Sequence, residues 1–147
     1  MKGSPKADTH YIISGIDQSS REFYLFDNGG QAKGSSTYPA SDESTGTYLW
    51  TLKAVGDAWV ITNAGTGRNM NLGSSNGSAI SMSDTEQTNA IHFDSNGYLT
   101  ILNSNGQAID MTANGANPTT WTGTTTPTGS RRLKIYEATN VKMENKR

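Results

Sequence analysis

The stretch Leu99-Thr100-Ile101-Leu102-Asn103-Ser104-Asn105-Gly106-Gln107-Ala108-Ile109-Asp110-Met111 decides how this chain folds. Apolar and polar residues alternate on either side of an Asn-Gly pair. That pattern reads as two short strands joined by a tight turn, because Asn and Gly tolerate the positive φ such turns need. The chain then runs through Asn114-Gly115 to Trp121 and on to Leu133-Lys134-Ile135. The same order stands earlier in the chain, as Trp59-Val60-Ile61-Thr62-Asn63, Met70-Asn71-Leu72, Asn76-Gly77, Ile80-Ser81-Met82 and Ile91-His92-Phe93. A more diverged copy precedes both: Tyr11-Ile12-Ile13-Ser14, Phe23-Tyr24-Leu25, Asn28-Gly29, Tyr38 and Trp50-Thr51-Leu52. Repetition at a spacing of roughly 40 residues marks units that bury their apolar faces only against one another.

Three units of four short strands predict an all-β chain of twelve strands. Closing such a sheet into a barrel removes its edges, and the middle strands of each unit then form hairpins over one end. That architecture is a β-trefoil with pseudo-threefold symmetry, its repeats falling at about 10–56, 57–97 and 98–138. A β-sandwich with coincidental repetition is the alternative. Residues 1–9 and 139–147 carry no such pattern and are expected to be flexible. Ser83 to Ala90 is polar on every side and is expected to be a loop.

Composition fits many short strands with many turns: of 147 residues only 33% are hydrophobic, 16 are Gly, and Ser, Thr and Asn crowd the rest. Three Trp, six Tyr and three Phe, with a formal charge of −1, argue against disorder. That charge also argues against nucleic acid as partner, which needs a concentrated basic surface. Arg131, Arg132 and Lys134 read as part of a solvated last strand, diluted by Glu137 and Glu144. With no cysteine there is no disulfide, thiolate metal site or thiol nucleophile. No run approaches the about eighteen apolar residues of a membrane span.

Enzyme signatures fail on context. Gly73-Ser74-Ser75-Asn76-Gly77 has the spacing of a hydrolase nucleophile elbow, but it lies in a polar hairpin rather than between a buried strand and a helix. His10 and His92 are isolated, and Asp94-Ser95-Asn96-Gly97 lacks the later glutamate of a calcium loop. No catalytic residue, metal or cofactor is expected.

At the residues quoted above the chain resembles the ricin-type β-trefoil lectins, a family of carbohydrate-binding modules, over about Tyr11 to Ala138. In that family each repeat carries an Asp between two apolar residues of the second strand, then an aromatic, then Gln-x-Trp in the fourth. Carried over, the Asp falls on Tyr24, Asn71 and Asp110, and the aromatic on Tyr38, Met82 and Trp121. The spacing of Asn71 to Met82 equals that of Asp110 to Trp121, which supports this register. Gln-x-Trp reads Tyr48-Leu49-Trp50, Asn89-Ala90-Ile91 and Arg131-Arg132-Leu133, so no glutamine stands at its place.

The resemblance implies a non-catalytic module that binds a mono- or oligosaccharide, chiefly through the third repeat. There Asp110 would point outward beside an exposed Trp121, and Asn114 or Asn117 would supply an amide. A sugar needs such a set, an acceptor for its hydroxyls beside a flat apolar face for its C–H bonds. Tyr24 and Tyr38 would form an aromatic platform in the first repeat, while repeat two, with Asn71 and Met82, reads as vestigial. The resemblance further implies a monomer, a fused or associated glycosidase domain, and an extracellular, cell-surface or periplasmic setting. A protein-binding trefoil of inhibitor or adhesin type, using loops such as Gly34 to Gly46, is the alternative function.

Overall fold

The computed structural model describes residues 5–6, 9–39 and 43–138. The segment 139–147 and most of 1–9 lie outside the described residues; Lys6, within them, donates its backbone N–H to the Tyr11 hydroxyl at 2.7 Å. Twelve strands follow in order: β1 (Tyr11–Ile16), β2 (Glu22–Asp27), β3 (Ala32–Ser35), β4 (Trp50–Val55), β5 (Ala58–Asn63), β6 (Asn69–Asn71), β7 (Ser81–Ser83), β8 (Thr88–Phe93), β9 (Leu99–Leu102), β10 (Gln107–Asp110), β11 (Thr119–Thr122) and β12 (Leu133–Glu137). Among the described residues the only helical pieces are 3₁₀ turns at Glu43–Tyr48 and Gly129–Arg131. Among the described residues no helix is long and apolar enough to cross a membrane.

Six strands close a ring of antiparallel pairs, β1–β4–β5–β8–β9–β12 and back to β1. The other six form three hairpins, β2–β3, β6–β7 and β10–β11, one per repeat. This is the β-trefoil that the repeat implies. At the end of each first strand, or one residue past it, stands a residue whose side chain caps the turn behind it. Asp17 accepts the N–H of Ser19 and Arg21, Asn63 those of Gly65 and Thr66, and Asn103 those of Asn105 and Gln107. Short acceptor side chains hold such turns because they replace a backbone carbonyl.

Alternation delivers the core. Ile13, Trp50, Leu52, Ile61, Leu99, Ile101, Leu133 and Ile135 are buried with Phe23, Leu25, Met70, Leu72, Ile109 and Met111 from the hairpin strands. Trp50 is fully enclosed, its indole N–H donating to the Leu25 carbonyl at 3.2 Å. The expected loop from Ser83 to Ala90 is shorter than its polarity suggests. β8 starts at Thr88, and Asn89 is buried opposite Trp59 because it shares a strand face with the core-packed Ile91 and Phe93.

The three hairpins are laced into one cap. Gln31 bridges Ser81, Ala79 bridges Thr119, and the Gly34 N–H reaches the Ala116 carbonyl at 3.2 Å. Repeats one and three approach so closely there that a Cβ on Gly34 would lie 2.0 Å from the Gly115 carbonyl oxygen. One on Gly115 would lie 2.2 Å from the Phe23 ring. Only glycine fits such a crossing.

Candidate functional site

Ile109 and Met111 enter the core, so Asp110 between them faces the outer side of the β10–β11 hairpin. On that side Ala108 stands opposite Trp121 and Asp110 opposite Thr119. Asp110 and Trp121 are therefore diagonal neighbours on one face. They line a cavity of about 300 Å³ together with Gln18, Thr112, Thr119 and Arg131. Trp121 is 47% exposed.

The acid is not exposed as the sequence suggests, for Asp110 keeps only 4% of its surface. Its Oδ1 accepts the Thr112 N–H at 2.7 Å and the Ser130 hydroxyl at 2.7 Å, and its Oδ2 accepts from the Arg131 guanidinium at 3.1 Å. Arg131, expected to be a solvated cation, is thus the counter-charge of the site. The resulting hydrogen bonds fix the carboxylate's direction and leave acceptor capacity on Oδ2. Thr112 sits at φ +63°, a left-handed conformation rare for a β-branched residue, and the Asp110 carboxylate holds it there.

Asn114 and Asn117 do not line this cavity. Asn114 Oδ1 accepts the Ala116 N–H at 3.0 Å and Asn117 Oδ1 accepts from Lys33 at 2.9 Å, so both are spent on the loop and the neighbouring hairpin. The amide-bearing residue that lines the cavity is Gln18, in the turn after β1. Its backbone N–H donates to the Thr112 carbonyl at 2.8 Å. Asp17 fastens that turn to the third repeat, its carboxylate accepting the Gly115 N–H at 3.1 Å and pairing with Arg21 at 2.9 Å. Burial works against its charge, but hydrogen bonds from Arg21, Gly115 and Ser19 outweigh it and lower the Asp17 pKa to about 2.

The second repeat corrects the register read from spacing. Met70 pairs with Met82, and Asn71 with Ser81. With Asn71 in the place of Asp110, the place of Trp121 falls on Ser83, while Met82 is a core residue with 5% exposure. The β6–β7 link is one residue longer than the β10–β11 link, and one residue turns every side chain to the other face. Asn71 is also spent, accepting from Ser83 and donating to the Thr85 carbonyl at 3.1 Å. In the first repeat Tyr24 lies opposite Ser35, and Tyr38 follows beyond the strand end. The two rings nevertheless meet edge to face, centroids 5.1 Å apart at 89°.

No family model matches the sequence, and no curated protein does. Solved structures do match in shape. A ricin B-like lectin from Macrolepiota procera, in complex with lactose, matches with a TM-score of 0.71 at 15% identity, over 92% of this chain and 99% of that one. The fold is a β-trefoil. The designed threefold-symmetric protein ThreeFoil matches with a TM-score of 0.68 at 14% identity, over 88% of this chain and 99% of that one. An endo-β-galactosidase from Clostridium perfringens that releases GlcNAcα1-4Gal matches with a TM-score of 0.69 at 12% identity. That match covers 89% of this chain but 33% of the enzyme.

Within this β-trefoil, Gln18, Thr112, Thr119 and Arg131 are the cavity residues that the sequence does not single out as site residues. Arg131 stands where the resemblance expects the glutamine of Gln-x-Trp, which is a usable signal, because a guanidinium fork is a side-chain donor as an amide is. Gln18 carries no comparable mark, because it reaches the third repeat only through the fold.

Proposed function

We propose that the protein is a non-catalytic carbohydrate-binding module whose site is the cavity between Trp121, Asp110, Arg131 and Gln18. One observation carries this reading. A half-exposed indole and a carboxylate of fixed orientation share one hairpin face over a cavity of about 300 Å³, the size of a small-ligand pocket. A sugar ring would lay its C–H face on Trp121, give a hydroxyl proton to Asp110 Oδ2, and take donors from Arg131 and the Gln18 amide. The shape shared with a lectin that binds lactose supports a sugar as ligand, and the likeness to part of a galactosidase supports a life as a module beside a catalytic domain. A monomer in an extracellular, cell-surface or periplasmic setting suits that role.

A glycan array of the purified protein beside Trp121→Ala tests the proposal, with Trp121→Ala plus Asp110→Ala as the stronger variant. Binding by the parent and loss of at least tenfold in Trp121→Ala, roughly 1.4 kcal/mol, is the expected result. Since Trp121 is half exposed, its removal leaves the circular dichroism spectrum unchanged. Binding kept by both variants would move the sugar elsewhere. An array with no positive glycan would favour a protein partner.

A further inference from the structure

We propose that the outer face of the first repeat, where Tyr24, Tyr38 and Tyr136 gather beside the Glu22 carboxylate, is a second binding site, specific for an organic ammonium group. It is separate from the Trp121 cavity and does not depend on the sugar reading. On β1, Ile12 and Ser14, both fully buried, turn away from the main core; Ile12 lies opposite Tyr136 of β12, and Ser14 opposite Tyr24 of β2. Glu22, opposite Ile16, belongs to the same face. Its Oε2 accepts the Ser14 hydroxyl at 2.6 Å and the Tyr136 hydroxyl at 2.9 Å.

Three features suit this corner to a cation rather than to a neutral sugar. Tyr24 and Tyr38 stand perpendicular, 89° between planes, so they make a corner rather than a flat platform. A corner presents π surface from two directions to a compact cation, whereas a sugar ring stacks on a flat one. Second, the hydroxyl partners of Glu22 are neutral, and among the described ion pairs none involves it. Lys134 lies opposite Ser14 on this face, yet its ammonium sits 5.7 Å from the Tyr98 ring centroid. A half-buried carboxylate held by neutral donors attracts a cation more strongly than one already paired. Third, Tyr24 and Tyr136 pack on a buried apolar floor of Ile12, Leu49 and Ala138, which suits methyl groups better than hydroxyls. Burial first, and the Glu22 charge after it, raise the pKa of both tyrosines, that of Tyr136 to about 12. Both rings therefore stay neutral phenols at physiological pH and take no proton-linked part in binding.

The probe is choline, compared at equal ionic strength with its uncharged carbon analogue, in which a tert-butyl group replaces the trimethylammonium. NMR of the protein with isotope-labelled tyrosine reads the site. Choline is expected to shift the Tyr24, Tyr38 and Tyr136 ring signals saturably and at least about tenfold more tightly than the carbon analogue. Tyr38→Ala, at a ring 51% exposed, and Glu22→Gln are each expected to weaken choline by roughly tenfold, while Trp121→Ala leaves it unchanged. Equal affinity for the carbon analogue would reduce the site to an apolar patch and overturn the proposal. So would the absence of a saturable shift up to roughly 100 mM choline. A glycan that shifts the same rings more strongly than choline would make the corner a sugar platform instead.

Discussion

At the scale of single residues, the candidate site turns on a buried carboxylate and its partners. Arg131→Ala takes the counter-charge from Asp110 while Ser130 and Thr112 still donate to it. Arg131 is partly solvated, so the expected loss is about 1–2 kcal/mol, read as a lower urea midpoint. Arg131→Gln, which restores amide donors, is expected to recover part of it. Asp17 governs acid stability. A carboxyl whose folded pKa lies below its unfolded value contributes fully above the latter, and the contribution fades as pH falls toward the former. For Asp17 that window runs from 3.8 down to about 2. Asp27 is shifted in the same direction: burial opposes, but Arg68, Thr66 and the Gly30 N–H prevail. Unfolding free energy is therefore expected to drop steeply as pH falls through this window. Asp17→Asn should flatten that drop and lower stability at neutral pH by about 1–3 kcal/mol, checked by urea unfolding across pH.

At the scale of elements, the strands were legible because alternation and Asn-Gly turns are local signals. Phe23/Leu25, Met70/Leu72 and Ile109/Met111 all bury as their spacing requires. The hairpin partners were less legible, since register depends on loop length as much as on pattern. Met82 shows this: it matched Trp121 by spacing, yet the longer β6–β7 link puts it in the core. The site was half legible for the same reason. Asp110 and Trp121 share a hairpin and could be paired from sequence, whereas Gln18 arrives from another repeat. Elements also meet where no pattern announces it, at the Gly34–Gly115 crossing. Gly115→Ala drives a methyl into the Phe23 ring and is expected to cost about 1–3 kcal/mol, seen as a lower thermal midpoint.

At the scale of the whole molecule, stability rests on closure. β12 pairs with both β1 and β9, so without it the ring opens into a sheet with two bare edges. A chain ending at Arg132 is expected to lose its cooperative thermal transition and to aggregate, which calorimetry and light scattering would register. A chain that keeps β12 but carries Trp50→Ala should still unfold cooperatively, some ~3–5 kcal/mol less stable.

The pairing of β1 with β12 sets Tyr11 beside Glu137, and the Ala138 N–H bonds the His10 carbonyl at 2.8 Å. The described backbone thus enters and leaves the barrel at one spot, away from the hairpin cap to which β1 leads. A short peptide from Ala138 back to His10 would make the domain circular, and a cut at the exposed Gly56-Asp57 turn would then reopen it with the strands in a new order. The same geometry lets the domain be spliced into a loop of a host protein as a tethered bud, with its cap turned outward.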